Sequence, residues 1–145
     1  MGTYRHVLLA VDFSRDSERV GARALSLAKD NGARLTLLHV VAPVYQEPLY
    51  EGIAAVPLDI ETQLVENAER SLHDLAIKLG VADSERLVEV GTPKTVILET
   101  AKAREVDLIV VGSHGVHGLG LLLGSTANAV LHGAPCDVLA VRVPG

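Results

Sequence analysis

A chain of 145 residues is the size of one domain, long enough to bury about two-thirds of the surface its unfolded form exposes. Its 48% hydrophobic content rests on Val, Leu, Ala and Ile, with no Trp, one Phe and three Tyr, so it lacks the row of aromatics on which single-stranded nucleic acid stacks. A formal net charge of −5 without any Lys/Arg run excludes a reader of phosphate backbones.

The single cysteine, Cys136, leaves no partner for an intrachain disulfide. The opening stretch MGTYRHVLLAVDFS holds an apolar run far too short for a signal peptide or a membrane span. The expectation is a cytoplasmic protein, one domain over 1–145, that binds neither nucleic acid nor membrane.

In chain order, HVLLAV (6–11) is a short apolar run that predicts a strand. In the stretch after it Val20, Ala24, Leu27 and Ala28 recur at helical spacing; Ser14 or Asp16 can cap that helix and Gly32 can end it. RLTLLHVV (34–41) predicts the second strand. Residues 42–57 hold three prolines and two tyrosines, Tyr45 and Tyr50, and read as the longest loop, a candidate lid. Leu64, Ala68, Leu72, Leu75 and Leu79 mark the apolar face of a second helix closed by Gly80. RLVEVG (86–91) is the third strand; Thr92 at the cap and Pro93 at the first helical position begin a third helix. VDLIVVG (106–112) is the fourth strand, STANAVLHG (125–133) a fourth helix, and CDVLAVRV (136–143) a fifth strand that reads as buried.

Five apolar strands alternating with four helices call for an α/β fold, a doubly wound parallel sheet with helices on both faces, Rossmann-like in architecture. The preferred strand order is 3-2-1-4-5, with 2-1-3-4-5 as the alternative. In the first order strands 1 and 4 are neighbours where the winding reverses, and ligands bind beyond the carboxyl ends of strands at such a point. The residues leaving those two ends are Asp12 and Gly112.

The chemistry narrows by elimination. No G-x-G-x-x-G follows strand 1, and no G-x-x-x-x-G-K-[ST] occurs anywhere. A phosphoacceptor domain would need a further aspartate at the end of strand 3, where the chain has VEVG. There remains VGSHGVHGLGLLLGSTANAV (111–130), with five glycines. Glycines let backbone N–H groups approach an anion, and Ser125 and Thr126 at a helix N-terminus add hydroxyls where the dipole favours negative charge. Equally, Gly115, Gly118 and Gly120 can serve only tight turns, Ser125 only a cap, and Asp12 only the start of the first helix.

His114 and His117 beside Ser113 have no Cys or carboxylate nearby to complete a ligand set, and read as loop histidines. His39 reads as a satisfied core residue, His132 as a cation near a helix C-terminus, and Cys136, without a basic neighbour, as inert.

Taken together, AVDFS, LHV, VDLIVVGSHG, LLLGS and APCDVLAVRV resemble the universal stress protein family in its small single-domain bacterial form, across essentially the whole chain. The resemblance implies the 3-2-1-4-5 order, a cytoplasmic homodimer and a regulatory role in the stress response. It also implies a pocket for ATP or another adenine nucleotide, with Mg2+ entering only with the nucleotide. It assigns Asp12 to a ribose hydroxyl, the Val40 backbone to the adenine edge, and Gly112, Gly115, Gly124, Ser125 and Thr126 to the phosphates. The family's nucleotide motif is G-x-x-G, nine residues, then G-[ST]; here eight residues separate Gly115 from Gly124. The alternative is the same fold and stress role without a nucleotide, as a dimeric interaction protein. A slow ATP hydrolase is a third reading, for which Asp12 is the only well-placed acid.

In the 3-2-1-4-5 order the last strand, residues 136–143, is an apolar edge, and pairing with its own copy would satisfy it.

Overall fold

The computed structural model describes residues 2–43, 59–113 and 124–142. Five strands, β1 (His6–Ala10), β2 (Arg34–Val41), β3 (Glu85–Val90), β4 (Leu108–Gly112) and β5 (Asp137–Val141), alternate with four helices, α1 (Ser17–Asn31), α2 (Ile60–Lys78), α3 (Pro93–Ala103) and α4 (Ser125–Gly133). Every pairing is parallel and the order is β3-β2-β1-β4-β5. This is the first of the two expected orders, and the architecture is Rossmann-like.

The alternation of side chains along each strand builds two cores. On one face Val7, Leu9, Leu37 and Val110 pack against Val20 and Ala24 of α1 and Leu72 and Leu75 of α2. On the other, Leu8, Leu38, Ile109 and Val111 pack against Ile97 and Ala101 of α3 and Ala127 and Val130 of α4. β1 and β4 are buried along nearly their whole length, as the centre of a doubly covered sheet requires. β5 departs from the expectation: its last four residues are only half-buried and its first is exposed, because it is an edge. Leu64, expected on the buried face of α2, is 40% exposed in the helix's second turn.

Helix ends follow local chemistry. Gly32 stops α1 at φ 63°, in the left-handed region that costs glycine nothing, and its N–H returns to the Ala28 and Lys29 carbonyls. Thr92 stands at the N-cap of α3 with Pro93 just inside. Asp16 holds the N-cap position of α1 without a side-chain bond to the helix.

The amino end of the sheet is pinned by buried polar contacts. His6 and Thr36, both under 4% exposed, face each other across β1 and β2. His6 Nε2 lies 2.7 Å from Thr36 Oγ1, whose hydroxyl donates to Glu85 Oε1 at 3.3 Å. Glu85 pairs with Arg104 at 2.6 Å, and the Arg104 carbonyl lies 3.1 Å from His6 Nδ1. The network joins β1, β2, β3 and the end of α3 in one closed ring.

Candidate functional site

The carboxyl ends of β1 and β4 lie side by side, paired from Val7–Leu108 to Leu9–Val110. Asp12, two residues past β1, is exposed, and Gly112 closes β4 half-buried. A small crevice between them is lined by Ala10, Val11, Asp12, Ser17, Val20 and Gly112. A wider groove opens at the opposite end of the sheet, between Leu25, Lys29, Arg34 and Glu85. There the C-termini of α1 and α2 turn carbonyls outward, where the helix dipoles disfavour an anion, although Lys29 and Arg34 line the groove.

Asp12 has a structural task and a spare oxygen. Its Oδ1 accepts the Ser14 N–H at 3.0 Å and the Ser17 hydroxyl at 3.4 Å, tying the β1–α1 turn to the first turn of α1. This is the helix-entry role that the sequence left open. Among the described residues no group bonds to Oδ2, which is left to accept from a ligand.

Phe13, the next residue, has φ 56°. For a bulky side chain the left-handed region costs roughly 1–2 kcal/mol, and such strain persists only where the surroundings over-determine it. Its ring stacks on His39 with centroids 4.3 Å apart and planes tilted by 36°. His39 Nδ1 lies 2.6 Å from the Val11 carbonyl; a carbonyl only accepts, so Nδ1 carries the proton. The half-buried His39 is thus a satisfied residue at the rim of the site.

Across the crevice, the Gly124 N–H donates to the Ser113 carbonyl at 2.7 Å, and the Ser113 N–H donates to the Val141 carbonyl at 2.8 Å. The N-terminus of α4 is thereby held against the end of β4, with Gly124 at the N-cap and Ser125 and Thr126 in the first turn. Gly124 has φ −60° and ψ 155°, a conformation open to any residue, so its backbone shape does not demand glycine. The dipole of a nine-residue helix points its positive end into the space beyond β1 and β4.

Six of the seven expected residues, Asp12, Val40, Gly112, Gly124, Ser125 and Thr126, therefore end on one side of the sheet. Gly115 lies outside the described residues, as do His114, His117, Tyr45 and Tyr50. Cys136 stands just before β5 and half-buried rather than at the head of a buried strand. Burial pushes its thiol pKa up, and Asp107 and Asp137 push it further. His132 is exposed in the last turn of α4. Phe13 was not among the expected site residues; a large aromatic directly after the strand-1 aspartate was the available signal.

The family model described as the universal stress protein family matches residues 3–142. The chain belongs to the universal stress protein family. It is 44% identical over 146 residues to universal stress protein A homolog 2 of Coxiella burnetii, covering all of this chain and 99% of that one. Among solved structures, a universal stress protein from Lactobacillus plantarum matches with TM-score 0.76 at 29% identity, over 98% of this chain and all of the other. A universal stress protein in complex with cAMP matches with TM-score 0.68 at 28% identity, over 98% of both chains. No helix among the described residues is long and apolar enough to cross a membrane.

Proposed function

We propose that this universal stress protein is a cytoplasmic regulatory module that binds ATP or another adenine nucleotide at the carboxyl ends of β1 and β4. The observation that supports the reading is the placement of complementary groups at the same, carboxyl end of the sheet. Asp12 Oδ2, which has no partner among the described residues, is an acceptor for a ribose hydroxyl. The Val40 peptide group lies at the end of β2 for the adenine edge. Gly112, Gly124, Ser125 and Thr126 border a helix N-terminus suited to phosphate. A Gly124 whose backbone angles do not call for glycine is consistent with close approach of a ligand to its N–H. The cAMP complex of a relative supports adenine as the base. Mg2+ would accompany the phosphates of a bound ATP.

Two copies would join through β5, whose half-exposed face and open edge invite a self-complementary strand pairing. A second reading, an interaction protein of the same fold without nucleotide, is favoured by the one-residue shortening between Gly115 and Gly124. The test is to denature purified protein and look for released adenine nucleotide by absorbance and mass spectrometry, then to titrate emptied protein with ATP and with cAMP by calorimetry. Saturable binding of either supports the nucleotide reading. Absence of both bound nucleotide and heat of binding at millimolar ligand overturns it in favour of the second.

A further inference from the structure

Two backbone bonds define how the end of β2 is turned. The Val11 N–H donates to the Leu38 carbonyl at 2.8 Å, so Leu38 faces β1; the Gly91 N–H donates to the Val41 carbonyl at 3.0 Å, so Val41 faces the β3 side. Peptide groups of successive strand residues turn to alternate sides. Val40 therefore faces β1, as Leu38 does.

A regular parallel ladder would next carry the Val40 N–H to the Val11 carbonyl. That bond is not made; the Val11 carbonyl accepts from the imidazole Nδ1 of His39 at 2.6 Å. The imidazole is held there by the Phe13 ring, 4.3 Å away, and Phe13 keeps a left-handed φ of 56° in doing so. A side chain has replaced a backbone donor at the last rung of the β1–β2 ladder, one residue before Asp12.

We infer that His39 is a positioning residue that caps the Val11 carbonyl, stops the β1–β2 ladder from closing over Val40, and so leaves the Val40 N–H to the acceptor edge of an adenine base. For the identity of that ligand the inference rests on the nucleotide reading above; for the open rung it rests on the backbone alone. A neutral hydrophobic residue at position 39 would free the Val11 carbonyl, and the Val40 N–H two residues along the ladder from the Leu38 carbonyl is the donor in register to take it.

The experiment compares amide hydrogen exchange by NMR on isotope-labelled full-length protein, wild type against His39→Phe and His39→Asn. Phenylalanine keeps an aromatic ring against Phe13 but has no donor, whereas the asparagine amide nitrogen overlies the imidazole Nδ1 and restores one. In His39→Phe the Val40 amide is expected to exchange at least about tenfold more slowly than in wild type, as a newly formed backbone hydrogen bond would require. His39→Asn is expected to return it to the wild-type rate. Affinity for an adenine nucleotide should follow the same order, falling roughly tenfold in His39→Phe and recovering in His39→Asn. If His39→Phe does not fold, His39→Leu gives the same comparison. An unchanged Val40 exchange rate in a folded donor-free variant overturns the inference. Exchange needs no ligand, so a protein that binds no nucleotide yet shows the expected protection defeats the nucleotide reading and leaves the role of His39 standing.

Discussion

The Gly124 N–H meets the Ser113 carbonyl at 2.7 Å, so the chain leaves β4 and enters α4 across a single hydrogen bond. Ser113 and Gly124, the described residues on either side of 114–123, are thereby held together at the end of β4.

Because Gly124 has ordinary φ and ψ, Gly124→Ala should cost no more than about 1 kcal/mol in urea unfolding, the lower preference of alanine for an N-cap position. If a phosphate approaches that N–H, the added methyl should weaken ATP binding, since one well-placed bond to a charged group is worth about 1.5–3 kcal/mol, or roughly ten- to a hundredfold in affinity. Equal affinities of alanine variant and wild type would remove Gly124 from the phosphate site.

Asp12 allows its two oxygens to be separated. Asp12→Asn keeps an acceptor for the Ser14 N–H but replaces the other oxygen by a donor, whereas Asp12→Ala removes both. Calorimetry should show nucleotide affinity falling at least about tenfold in either variant. Stability should fall, by about 1 kcal/mol, only in the alanine variant. Loss of stability in both, with affinity unchanged, would make Asp12 a turn residue alone.

Dimerisation through β5 can be tested at one amide chosen by its direction. Val141 faces β4, since its carbonyl accepts the Ser113 N–H, and a proline there would break the sheet of the single chain. Ala140 faces the open edge, where proline is tolerated in an isolated strand but removes a donor from any strand pairing across it. Ala140→Pro is therefore expected to give a folded monomer by light scattering where wild type gives a dimer. A monomeric wild type at micromolar concentration, or a dimeric Ala140→Pro, would reject pairing by this edge.

Much of this arrangement was legible in residue order. Apolar runs of strand length alternating with amphipathic helices imply a parallel sheet, and the position of Asp12 and Gly112 after strands 1 and 4 points to the end of the sheet where a ligand would bind. What could not be read was the direction of single peptide groups. That Val40 and Ala140 face away from satisfied ladder positions depends on register, and periodicity in sequence carries no register between strands. An apolar strand marks His39 as a satisfied residue, and it is bonded, but that its partner is the Val11 carbonyl does not show in the sequence. An edge strand as apolar as DVLAV has the composition of a central one, so the half-burial of Cys136 and β5 does not show in residue order.

The two ends of the sheet should be separable. Thr36→Val, nearly isosteric, removes the hydroxyl that links His6 to Glu85 and leaves a buried imidazole nitrogen without its partner. A loss of about 1–3 kcal/mol is expected in chemical denaturation, with any nucleotide affinity unchanged because the proposed site lies at the opposite ends of the strands. A fall in affinity without loss of stability would mean that the two ends communicate.

Cys136 gives a chemical test of burial. A thiol reacts as its thiolate, and burial together with Asp107 and Asp137 raises the pKa of Cys136 by disfavouring that anion. At neutral pH it should therefore react with iodoacetamide more slowly than a free cysteine peptide. The rate should climb with pH through a midpoint above that of the peptide, because the folded protein holds the thiol proton longer. Protein unfolded in urea should lose the difference, since both burial and the fixed neighbouring carboxylates are then gone. A folded-state midpoint at or below the peptide's would show that the thiol is not desolvated, and that the half-buried start of β5 is open to water.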